Sequence, residues 1–126
     1  PVRGQLNTPK KDSSSMSSRL AHMVYFALAD NSPAKISELL SQCHELLNDH
    51  PGLEYFAVGT LNPDLDRPVN DREFDVSLHT VFSDRAAHDA YQLAPRHLEF
   101  IANNKPNWKA VRVQWRLRNN HRLLLA

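Results

Sequence analysis

Glycine is scarce in this chain of 126 residues, with only Gly4, Gly52 and Gly59. Loops that cradle phosphate on backbone N–H groups need clustered glycines, so P-loops, Gly-x-Gly-x-x-Gly turns and Gly-x-Ser-x-Gly elbows are excluded. A single cysteine, Cys43, rules out an internal disulfide framework and fits a reducing compartment. No apolar run approaches the roughly 20 residues that span a bilayer. No apolar h-region follows Pro1-Val2-Arg3-Gly4-Gln5, so no membrane segment or secretory signal is expected, and the default location is cytoplasmic. An excess of one charge is missing as well. The net charge is +1, and the basic residues are scattered without interleaved aromatics, which argues against a nucleic-acid partner. None of the seven histidines falls in a metal-ligand spacing such as His-Glu-x-x-His, so neither a metal nor another cofactor is expected.

What remains is ordinary for one soluble globular domain, with 41% hydrophobic and 23% charged residues. Residues 1–18 are polar and without periodicity, and read as a flexible N-terminal arm, with Met16 a candidate start and a partner subunit a candidate support. The domain is expected over 19–118 and a C-terminal tail over 119–126. Arg19–Leu28 reads as a strand with Leu20, His22, Val24, Phe26 and Leu28 on one face. Its other face is also apolar, so both faces require a cover. Ser32-Pro33 starts a helix whose apolar stripe runs from Ile36 through Leu39, Leu40 and Cys43 to Leu46 and Leu47, and Pro51-Gly52 ends it. Cys43 lies inside that stripe and reads as a small buried hydrophobe.

Leu53–Leu61 is a second strand, and the proline-broken segment Asn62–Arg72 a long solvated loop whose acidic spacing matches no Ca²⁺ loop. A third strand is expected over Glu73–Phe82, with Phe74, Val76, Leu78, Thr80 and Phe82 on one face. Ser83-Asp84 caps a helix that stops before Pro95, where a second segment begins and runs to Asn103-Asn104. Lys109–Leu117 is the last strand. The order is β-α-β-β-α-β, an α+β ferredoxin-like plan with a four-stranded antiparallel sheet and helices on one face. The open face carries Ala21, Met23, Tyr25 and Val81 beside Asp75, His79, Arg112 and Arg116, which points to a homodimer packed through that face, with Asp75 meeting Arg112 or Arg116 of the other subunit.

The Pro95 corner brings Tyr91 and His97 together, and His22 approaches from the sheet. Two imidazoles and a phenol suit proton abstraction beside a carbonyl: a neutral histidine takes the proton and the phenol holds the developing oxyanion. His97, Tyr91 and His22 are the candidate catalytic residues, around a pocket for a small apolar or aromatic ligand. The competing reading makes them satisfied core residues. His44, His50, His88 and His121 read as surface, and His79 as interface.

The run Ala21-His22-Met23-Val24-Tyr25-Phe26, then Pro51-Gly52, Phe82-Ser83-Asp84, and Ala90-Tyr91 through Pro95-Arg96-His97 resembles the stress-responsive A/B barrel (Dabb) family of the dimeric α+β barrel superfamily, over roughly 19–118. The resemblance implies a homodimer of ferredoxin-like subunits. Among its enzymes is a cofactor-free polyketide cyclase that closes a ring by intramolecular aldol condensation. Its catalytic tyrosine and histidine fall on Tyr91 and His97, and a further pocket histidine falls on His22. Two positions depart. The family's frequent His-Pro-x-His reads Ala94-Pro95-Arg96-His97, and the aspartate that orients the cyclase histidine is replaced by Trp115. The alternatives are a non-catalytic stress-associated or ligand-binding dimer and, from the wider superfamily, a cofactor-free monooxygenase. A cavity joining His22, Tyr91 and His97 separates enzyme or binder from a structural protein.

Overall fold

In the computed structural model, which describes residues 19–69 and 71–117, strand β1 (Leu20–Leu28) buries Leu20, His22, Val24, Phe26 and Leu28 and leaves Ala21, Met23 and Tyr25 half-buried. A strand that alternates this strongly can be covered by helices on one side only. Ser32 begins the cover. Its backbone is extended, its Oγ accepts the Lys35 N–H at 3.4 Å, and Pro33 occupies the first turn of α1 (Pro33–Gln42). A π turn, Cys43–Leu47, continues the helix and presents Cys43, Leu46 and Leu47 to the core.

The chain returns through Asp49 (φ 65°) and Gly52 (φ 80°) to β2 (Leu53–Thr60). Then follow β3 (Val76–Phe82), α2 (Arg85–Leu93), α3 (Pro95–Asn104), a 3₁₀ turn (Lys105–Asn107) and β4 (Trp108–Leu117). The sheet order is β2-β3-β1-β4, with every neighbouring pair antiparallel. This is the expected ferredoxin-like plan. The expected break before Pro95 is there too: Ala94 is extended (ψ 141°), because the proline ring disfavours helical backbone in the residue before it.

Two expectations about the third strand are corrected. It begins at Val76 rather than Glu73, and Phe74 does not face the helices. The chain bends at Glu73 and Asp75, so the period-2 alternation does not extend back to Phe74. Its ring lies 6.1 Å from that of Tyr25, and the Arg112 guanidinium sits 4.8 Å above it. Asp75 is engaged within its own chain. Its N–H donates to the Phe26 carbonyl at 2.8 Å, and its carboxylate accepts from the Leu28 N–H at 2.8 Å and Asn31 Nδ2 at 3.2 Å. Arg112 Nη1 instead reaches Asp71 Oδ2 of the same chain at 3.3 Å. The arm at 1–18 and the tail at 119–126 lie outside the described residues, and so does His121.

The helices cover β1 and β3 but not the inner face of the edge strand β4. Val113 and Trp115 pair in register with Val24 and His22, yet each stays 42% exposed.

Gly52 packs closely against α2. Its φ suits glycine, its carbonyl accepts the Ser83 N–H at 2.8 Å, and a Cβ there would run into the Cβ of Ala87. Gly52→Ala should therefore lower the unfolding free energy by roughly 2–4 kcal/mol, from backbone strain plus overpacking, as read by urea denaturation. An unchanged midpoint would show that β2 and α2 part easily.

Candidate functional site

The corner between α2 and α3 builds the site. Asp84 Oδ1 accepts the Ala87 N–H at 2.8 Å and fixes the start of α2. From there His88 and Tyr91, three residues apart, share the inward face, as do His97 and Phe100 on α3. The Tyr91 and His97 rings end up 4.6 Å apart at an interplanar angle of 62°. Arg96 pins the corner from outside. Its Nη2 donates to the carbonyls of Glu45 (2.7 Å) and Asn48 (2.8 Å), satisfying acceptors at the end of the π turn that no helix continues. The segment so held carries His50, whose Nε2 lies 2.8 Å from the Leu46 carbonyl and whose ring stands 5.0 Å from Tyr91.

His22 enters from β1, its ring 6.4 Å from Tyr91. A cavity of about 180 Å³ lies between sheet and helices, and His22, Tyr91 and His97 all line it. The rest of its wall is apolar apart from Gln92, with Phe26, Phe100, Trp108 and Trp115 prominent. The structure thus brings together the three residues singled out from sequence. Trp115 stacks on the His22 ring at 4.3 Å and 27°.

Two histidines read as surface are buried, and that reading is corrected. His88 (3% exposed) packs edge-on against Trp115 at 4.2 Å and lies 5.0 Å from His22; His50 (7% exposed) backs Tyr91. His88 was findable, because it precedes Tyr91 by three on one helix face. His50 had no local signal, since its position depends on the left-handed turn at Asp49 and on the Arg96 clamp. His44 is exposed as read, and His79 lies half-buried on the open face, 6.0 Å from Tyr25.

Burial governs the electrostatics. It pulls the His22 pKa from 6.5 down to about 4, helped by the neighbouring His88 and His97. Burial also lowers His88, although Asp89 opposes it, and lowers His97, where His50 and His88 add and the Gln92 backbone opposes. All three rings are therefore neutral at pH 7. Burial raises the Tyr91 phenol, which stays protonated, and pushes the Cys43 thiol up to about 12, so Cys43 is an inert core residue. Nδ1 of His22, Nε2 of His88 and Nδ1 of His97 are buried with no hydrogen-bond partner among the described residues. Also among the described residues, no three His, Cys, Asp or Glu side chains converge in a metal-binding arrangement, and no helix is long and apolar enough to cross a membrane.

Fold and cavity together define a ferredoxin-like α+β protein with a histidine–tyrosine cavity between its sheet and its helices. The chain belongs to the stress responsive A/B barrel domain (Dabb) family, whose model matches residues 20–114. No curated protein matches it. Among solved structures it is similar to a hydroxynitrile lyase from Passiflora edulis, at 20% identity over 83% of this chain and 97% of that one, with a TM-score of 0.69. It is also similar to a Dabb family protein with a ferredoxin-like fold from Mesorhizobium loti, at 20% identity over 79% and 96% and a TM-score of 0.67. A dimeric ferredoxin-like protein from Thermobifida fusca matches at 18% identity over 79% and 91%, with a TM-score of 0.67.

The depressed imidazoles set a pH dependence whose sign is fixed. Folded His22 takes a proton only near pH 4, whereas an ordinary imidazole takes one near 6.5. Between those values the unfolded chain binds more protons, so stability is complete above 6.5 and is lost as the pH falls toward 4. At about 1.4 kcal/mol per unit, His22 alone accounts for about 3 kcal/mol, with His88 and His97 acting in the same direction. Asp30 and Asp89 are held below 3.8, so their losses fall at lower pH. Denaturation at pH 7 and pH 4.5 should show this drop in the wild type and a smaller one in His22→Gln. Equal drops in both would place the titration elsewhere.

Proposed function

We propose that this protein is a homodimer that carries out cofactor-free proton transfer on a compact, single-ring aromatic carbonyl compound. The observation that carries the reading is the cavity lined by Tyr91 and by two imidazoles whose buried Nδ1 atoms have no partner among the described residues. A satisfied core histidine would show the opposite. In the proposed chemistry the substrate carbonyl accepts a hydrogen bond from the Tyr91 hydroxyl. Neutral His97 removes a proton from the carbon beside that carbonyl, and the enolate oxygen stays on the Tyr91 donor. His22, the second imidazole on the wall, exchanges the proton during its return.

Volume limits the substrate. A cavity of about 180 Å³ is close to the roughly 150 Å³ that holds benzene, and below the roughly 300–1,000 Å³ of drug-sized sites. The space beside Trp115 and Trp108 favours a compact ligand over a long-tailed polyketide. The Passiflora edulis neighbour is a hydroxynitrile lyase, so in that protein the fold supports catalysis. For assembly, the open face offers Ala21, Met23, Tyr25 and Val81 half-buried and Tyr55 exposed, and the Thermobifida fusca neighbour is dimeric.

Acetophenone in ²H₂O tests the chemistry, because its methyl protons exchange only through the enolate. The wild type should accelerate that exchange over buffer, and Tyr91→Phe should lose about 10²-fold of the acceleration, the usual effect of removing one oxyanion donor. Binding without acceleration would make the protein a non-catalytic binder, and no binding would make the corner core packing. For the dimer, sedimentation at micromolar concentration should give twice the 14.4 kDa chain mass. A monomer would leave the open face without its proposed cover.

A further inference from the structure

His22 is buried (3% exposed) under Trp115, and a group that exchanges protons needs a path to water. We propose that Asp89 and His88 form a proton relay joining His22 to solvent. The inference rests on the reading of His22 as a cavity group that exchanges protons.

The geometry runs from outside to inside in two steps. The Asp89 side chain is half exposed, and its Oδ1 lies 3.3 Å from Nδ1 of His88. A carboxylate there accepts from Nδ1–H, which leaves Nε2 of His88 as the bare, accepting nitrogen. That Nε2 is buried and has no partner among the described residues, and the same holds for Nδ1 of His22. The two ring centres are 5.0 Å apart. The rings meet edge to face at 77°, so these nitrogens are not bonded at rest; each lies about 1 Å out from its ring centre, and once turned to face each other they come within roughly 3 Å, the length of a hydrogen bond. With the His22 ring held by the Trp115 stack, a turn of the His88 ring about its Cβ–Cγ bond is the movement the relay requires to close the contact. The other rings against His88 are Phe82, Tyr91 and Trp115, none of which carries charge at neutral pH. The charged group besides Asp89 is Arg85, whose Nε holds Asp89 Oδ1 at 3.3 Å on the solvent side.

The proton count balances in both directions. Outward, the His22 imidazolium gives its Nδ1 proton to Nε2 of His88, while Nδ1 of His88 gives its proton to Asp89, which releases it to water. His22 is left neutral and His88 carries its proton on Nε2. Inward, Asp89 takes a proton from water and passes it to Nδ1 of His88, and the Nε2 proton returns to His22. One outward and one inward passage restore every group, matching a cavity group that gives up and regains a proton.

The test needs no ligand. In ¹⁵N-histidine-labelled protein, exchange of the His22 ring proton with water is measured by NMR for wild type, Asp89→Ala, His88→Gln and Arg85→Gln. The relay requires at least tenfold slower exchange in Asp89→Ala and His88→Gln, with no change in Arg85→Gln. A merely loosened fold would speed exchange instead, together with the β1 backbone amides. Wild-type or faster exchange in Asp89→Ala overturns the relay, and this variant at an exposed side chain decides the matter if His88→Gln does not fold. Failure of acetophenone exchange leaves this readout untouched, and failure of the relay leaves the His97–Tyr91 chemistry standing.

Discussion

Tyr91 is buried in the seam where α2 and α3 meet the sheet, and the site depends on that contact. Its ring is packed by Phe82 at 4.8 Å, His97 at 4.6 Å and His50 at 5.0 Å, with His88 and His22 just beyond at 6.2 and 6.4 Å. Four imidazoles around one phenol share a single desolvated volume, so a charge on any of them raises the energy of a charge on the next. His22, His88 and His97 are held neutral by their packing, with no carboxylate among the described residues that line the cavity. Burying polar nitrogens without partners costs about 1–3 kcal/mol each. A domain whose net stability is typically 5–15 kcal/mol must offset three such imidazole nitrogens, and the nearly complete burial of Phe26, Leu47, Leu78 and Phe82 contributes to that.

The uncovered inner face of β4 sets the size of the cavity. Because the helices stop short of the edge strand, its wall must be filled from β4 itself, and Trp115 fills it by stacking on His22. An acidic side chain at that position would orient a histidine and leave room for a longer ligand. An indole does the reverse: it narrows the space and fixes the His22 ring plane. Orientation of His97 then falls to the Tyr91 ring, the backbone at Gln92 and the Arg96 clamp on the neighbouring turn.

The sequence carried the local signals well. Alternation in β1, the Ser32-Pro33 start, the Asp84 cap and the Pro95 break each depend on a few neighbouring residues, and together they defined the fold and brought Tyr91, His97 and His22 into one place. The misreadings involve contacts between residues far apart in sequence. His50 and His88 look like surface residues until the crossing of α2 over β1 and the 48-residue link from Arg96 to Asn48 are known. Phe74 and Asp75 follow a strand pattern that the hydrogen bond from Asp75 to Phe26 interrupts. Periodicity records which face a residue occupies within an element, but not where the element begins to pair.

Desolvation also constrains what the proposed chemistry can act on. An imidazole whose pKa is depressed is reliably unprotonated at pH 7, but it is a weaker base, and proton transfer to it is less favourable by the same amount. Such a base needs a substrate whose proton is already activated, and a hydrogen bond that strengthens as the oxyanion forms. Tyr91 is suited to the second requirement because burial raises its pKa and keeps its proton in place as a donor. The first requirement favours a carbonyl conjugated to an aromatic ring, whose enolate is stabilised by that ring. Cavity size and base strength, set by different residues, therefore select the same class of molecule.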